Sequence, residues 1–166
     1  SESRDSAAGV RYDAPVTRAY RIEWQTDPRF EGRVEAASLM AIATRALEIE
    51  GAPEGSELGV VLTGDDIVRE LNARYLGLDE PTDVLSFGMG EPFPGQEETE
   101  HQLGEVIISV ETAERQAREA GHSLDREIAH LLVHGVLHIL GYDHVEPDDE
   151  RAMRAREEAI LGHEAH

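Results

Sequence analysis

The chain contains no cysteine and no lysine. Without cysteine there is no disulfide framework, no thiolate metal site and no thiol nucleophile, so any metal must be held by His, Asp or Glu. Without lysine, all fifteen fixed cations are arginine; against 35 acidic residues the net charge is −20. Nucleic-acid binders usually carry a basic footprint, so this balance lowers the expectation of a polyanionic partner. Charges more than about 10 Å apart are largely screened at ordinary salt, and a local arginine patch can still meet phosphate. No apolar run approaches the roughly 20 residues of a membrane-spanning helix, so no membrane partner is expected. The opening stretch SESRDSAAGVRYDAP lacks the apolar core of a signal peptide, and the expected location is the cytoplasm.

What is present fits one globular unit. At 166 residues, 40% hydrophobic and 30% charged, the chain can bury a single core without a covalent staple. Residues 1–17 are small, polar and unpatterned and read as a disordered tail. Residues 18–162 read as one domain without internal repeats.

Local signals place its elements. Tyr20, Ile22 and Trp24 alternate as in a half-buried strand. VEAASLMAIATRALEIEG has helical spacing and stops at Gly51 and Pro53. ELGVVLTG is a short apolar strand. Thr63, three residues before Asp66, resembles a capping box opening the helix of DDIVRELNARYLG. DVLSFGM and GEVIISV are two further strands, separated by the Pro/Gly/Glu-rich loop GEPFPGQEETEHQL. Ser109 and Ser123 each open a helix, ending near Gly121 and Gly141, and Pro147 suits the first turn of a last one. The order β-α-β-α-β-β-α-α-α predicts a small mixed sheet with five helices packed against it.

The chemistry concentrates in HGVLHILGYDH, residues 134–144. Residues four apart on a helix share a face, so His134 and His138 can present two imidazoles to one point. A third ligand on the same helix would lie too far along the axis. A stop at Gly141 turns the chain back and brings His144 within reach. Three neutral imidazoles leave one coordination position open for water, as in a catalytic zinc site at the end of a central helix. A histidine pair at this spacing is commonly just a pair of surface or hydrogen-bonded core residues; the third, beyond a glycine turn, is what points to metal. His130, one turn before His134, reads as a buried, hydrogen-bonded residue or as a partner of a ligand. His101, His122, His163 and His166 read as unconnected with the metal. The spacing equals that of the metzincin proteases, whose general base is a glutamate directly after the first histidine. Here Gly135 occupies that place, so the proton acceptor for peptide hydrolysis is missing.

The motif H-G-x-L-H-x-x-G-Y-D-H resembles the signature of the YbeY family of bacterial rRNA maturation endoribonucleases. LNARYLGLDEPTDVLSF, residues 71–87, and GEVIISVETAERQAREAGHS, residues 104–123, resemble two further blocks of that family. The similarity spans roughly residues 57–150. It implies an α+β fold with a mixed four-stranded sheet, and makes 18–162 a metal-dependent endoribonuclease domain. It further implies one zinc ion per chain on His134, His138 and His144, and single-stranded RNA, in particular small-subunit rRNA, as substrate. Ribosomal small-subunit proteins and the GTPase Era are the implied partners, in rRNA maturation and ribosome quality control. The family usually has a phosphate-contacting arginine where this chain has Leu76, and Arg74 is the candidate substitute. No general base is evident: Asp143, beside the third histidine, could orient a ligand or the water, and Asp83 could lie near the cleft or be structural. Two other readings are a metal-stabilised ribosome-assembly factor with little turnover and, on spacing alone, a metalloprotease.

Overall fold

The computed structural model describes residues 20–80, 82–88, 102–141 and 147–162. The N-terminal tail, Asp143 and His144 lie outside them. Four strands, β1 (Arg21–Thr26), β2 (Glu57–Thr63), β3 (Val84–Gly88) and β4 (Gln102–Ser109), form one sheet in the order β1-β2-β4-β3. The pairs β1/β2 and β2/β4 are parallel and β3/β4 is antiparallel. Five helices accompany it: α1 (Ala36–Ile49), α2 (Asp65–Leu76), α3 (Val110–Ala120), α4 (Leu124–Ile139) and α5 (Pro147–Leu161). The α+β class and the mixed four-stranded sheet are as the sequence predicts; a 3-10 turn at Pro28–Phe30 is additional.

The two faces of the sheet carry unequal cores. Leu58, Val60 and Leu62 of β2 and Val106 and Ile108 of β4 join the main cluster with residues of α1, α4 and α5. Ile107, one residue out of phase, joins Leu85, Phe87 and Val68 of α2 in a smaller cluster on the other face. Covered on both sides, β4 is buried from Gly104 to Ser109, which is why it reads as a continuous apolar run. Helix α4 crosses the main core, touching β3, β4, α1, α3 and α5. Its Ile128, Leu132 and Leu137 are fully buried, each contributing about 1.5–3 kcal/mol. Exposed helix pairs contribute only about 0.2–0.5 kcal/mol, so packing is what fixes α4 in place.

Helix starts follow the serine signals and miss one threonine. Ser109 and Ser123 cap α3 and α4, accepting from the amides of Thr112 and Arg126. The capping box predicted at Thr63 is absent. Thr63 is the last residue of β2, its hydroxyl donates to Asp27, and the cap of α2 is Gly64, which makes no side-chain hydrogen bond. The extended backbone needed to finish the strand takes Thr63 out of reach of the first helical turn. Glu111 of α3 instead accepts from the amide of Asp65 at 2.8 Å. Burial pushes the Asp65 carboxyl upward, but hydrogen bonds from Ser109, Thr112 and Arg115 outweigh it and hold it below the usual range. With its oxygens engaged by those three side chains, Asp65 ties α2 to α3.

Candidate active site

Helix α4 brings His134 and His138 to one face, one turn apart, near its C-terminal end. Gly135 between them is buried against the sheet, whereas the His134 side chain is 30% exposed and His138 is exposed. Leu140 caps the C-terminal end of the helix, and Gly141 follows with φ 111°, a conformation that favours glycine.

The ring of His134 is held from outside its own helix. Nδ1 of His134 lies 3.0 Å from Oε2 of Glu157 on α5. The other carboxylate oxygen lies 4.0 Å from Nδ1 of His130, and the His130 and His134 rings are tilted by 39° with centroids 6.3 Å apart. Glu157 is buried, 4% exposed, between the core residues Met153 and Ile160 of α5. Sequence reasoning passed over it. The signal is there in the spacing: positions 153, 157 and 160 form one helical stripe, and a charged residue stands in the middle of it.

The other predicted residues fall elsewhere. His122 pairs with Glu127 at 2.6 Å, both side chains nearly buried, and Glu127 lies about two turns before His134 along α4. The carbonyl of Asp83 accepts from the Ser109 amide and its carboxylate accepts from Gln116 of α3. That joins β3 to the start of α3. Arg74 is exposed, pairs with Glu70 at 2.9 Å and lies over the Tyr75 ring at 5.8 Å. Tyr75 meets Phe87 edge-on at 6.5 Å, and Leu76 is 52% exposed. Among the described residues no group of three His, Asp or Glu side chains is placed to hold a metal. Among those residues, too, no helix is long and apolar enough to cross a membrane.

Fold and site together define a class: a small α+β domain with a mixed four-stranded sheet and a histidine-bearing helix packed across it. The sequence profile of the family described as Endoribonuclease YbeY matches residues 25–164. The protein of that name from Desulforamulus reducens is 50% identical over 118 residues, spanning 70% of this chain and 77% of the relative. Its counterpart from Dehalococcoides mccartyi strain BAV1 is 46% identical over 146 residues, 82% of this chain and 91% of the relative. The solution structure of TM1509 from Thermotoga maritima superposes with a TM-score of 0.54 at 26% identity, covering 85% of this chain and 89% of that one. The chain belongs to the YbeY endoribonuclease family.

Proposed function

We propose that the protein is a metal-dependent endoribonuclease that cleaves single-stranded RNA in the maturation of small-subunit (16S) rRNA and in ribosome quality control. It acts in the cytoplasm, with ribosomal small-subunit proteins and the GTPase Era as partners. One zinc ion per chain is held by His134, His138 and His144. The observation that carries this reading is the pair of imidazoles on one face of α4, one of them with its ring held by a buried carboxylate. The donor set suits zinc: a neutral imidazole that donates Nδ1–H to a carboxylate presents its lone pair at Nε2. Zinc, when bound, supplies a Lewis acid that polarises a phosphate oxygen and lowers the pKa of water. The protein's own part is to hold the ligating rings and to seat the RNA. Asp143, next to the third histidine, orients a ligand or the attacking water.

Gly135 argues against a protease. A side chain there points at Val106 in the core, so the position cannot offer a carboxylate to a cleft. The ribosome-assembly factor with little turnover is the second reading, favoured by the exposed Leu76 and the net charge of −20.

Purified protein is assayed for zinc and incubated with labelled single-stranded RNA, duplex RNA and casein. The expected result is one zinc per chain, lost in His138→Ala. Single-stranded RNA alone is cut, and chelation stops it. Zinc content unchanged by His138→Ala, or cleavage that survives chelation, overturns this assignment of the site. Zinc binding without cleavage selects the assembly factor.

A further inference from the structure

Glu157 sits where an apolar residue would be expected. Met153 and Ile160, on the same stripe of α5, are 2% and 1% exposed, and Glu157 between them is 4% exposed. Burying a carboxylate carries a desolvation penalty, and well-packed hydrophobic residues in place of a buried ion pair are often neutral or stabilising. Stability alone therefore does not account for a glutamate here. Its contact does. Oε2 meets Nδ1 of His134 at 3.0 Å across 23 residues of sequence; with the carboxylate as acceptor, Nδ1 is the ring nitrogen that donates.

We propose that Glu157 is a positioning residue for the metal centre: from α5 it fixes the ring orientation and tautomer of His134, so that Nε2 is presented as a ligand. This rests on the reading of His134 as a ligand. The carboxylate is itself held in place. Its helix is anchored by Met153 and Ile160 in the core, and Arg156 Nε donates to Glu50, just past the end of α1, at 2.7 Å. A ring gripped by a rigid acceptor loses less freedom on ligation; such partners typically account for ten- to a hundredfold in metal affinity. The last helix thereby becomes part of the site although it carries none of the three histidines.

The test compares the full-length wild type with Glu157→Gln and Glu157→Met. Zinc affinity is measured by chelator competition, and His134 ring-nitrogen shifts are read by NMR on metal-free protein. The Nδ1–H form is expected in the wild type and lost in Glu157→Met. Zinc affinity falls ten- to a hundredfold in Glu157→Met and less in Glu157→Gln, whose amide oxygen still accepts. Should Glu157→Met fail to fold, the isosteric Gln variant carries the comparison: affinity equal to wild type overturns the proposal. So does an Nε2–H ring in the metal-free wild type. A wild type that takes up no zinc overturns the reading of the site itself, and the role of Glu157 with it; a wild type that binds zinc no better than Glu157→Met overturns only the role of Glu157.

Discussion

Gly135 packs so closely on Val106 that a Cβ at position 135 would stand 2.9 Å from Cγ1 and 3.2 Å from Cγ2 of the valine. A β-branched residue in a buried strand has little freedom to retreat. Two terms oppose each other in Gly135→Ala. Helix propensity favours alanine by about 1 kcal/mol, and overpacking costs about 1–3 kcal/mol. We expect a net loss of about 0–2 kcal/mol by urea denaturation, reduced when Val106→Ala is added to make room. Gly135→Glu, which would restore the metzincin pattern, forces a charge into the same space and should cost several kcal/mol. If Gly135→Ala is stabilising in the wild-type background, the contact is not limiting and the packing argument fails.

Leu76 and Arg74 bear on RNA binding. Helix α2 continues through Leu76 and is closed by Gly77, so Arg74, two residues earlier, projects about 200° away around the axis. It is also engaged with Glu70. Arginine at position 76 would add a planar, bidentate phosphate contact. A charge-assisted hydrogen bond of about 1.5–3 kcal/mol corresponds to roughly ten- to a hundredfold in rate or binding. Initial rates on single-stranded RNA should rise by that order in Leu76→Arg and change little in Arg74→Ala. The reverse pattern, activity abolished by Arg74→Ala and unaffected by Leu76→Arg, would give the role to Arg74.

Glu105 makes the fold pH-dependent in an unusual direction. Burial in β4 pushes its carboxyl up; Gln102, donating at 3.1 Å, opposes this and the charge of Glu23 adds to it. A folded pKa above the unfolded one means that the native state holds the proton more tightly. The stabilising contribution is therefore complete below the ordinary carboxylate range and is lost as pH rises through the raised folded value. Glu105→Gln should match the wild type in urea midpoint at pH 4 and exceed it at pH 7.5. A variant less stable than wild type at pH 7.5 would show that the ionised carboxylate is favourably held.

Much of the fold follows from short-range rules, and these were legible. Ile22 and Trp24 alternate because one face of β1 is half-buried. Ser109 and Ser123 cap because their hydroxyls reach an amide three residues on. Gly77 and Gly121 end helices because each takes a left-handed conformation. The candidate ligands His134 and His138 were legible for the same reason, since a four-residue spacing on a helix is itself a geometric statement. Thr63 shows where such rules stop: its sequence context suits a cap, but pairing with β4 as far as Ser109 holds it in the strand. Glu157 and Gly135 show it more sharply. The role of each depends on a residue far away in sequence, His134 across α5 and α4, Val106 across α4 and β4. Periodicity says which face of a helix is buried, but not what it is buried against. The sheet order, the packing of α4 on β4 and the carboxylate behind His134 were settled only when the helices docked, because contacts between distant segments depend on how all of them share one core.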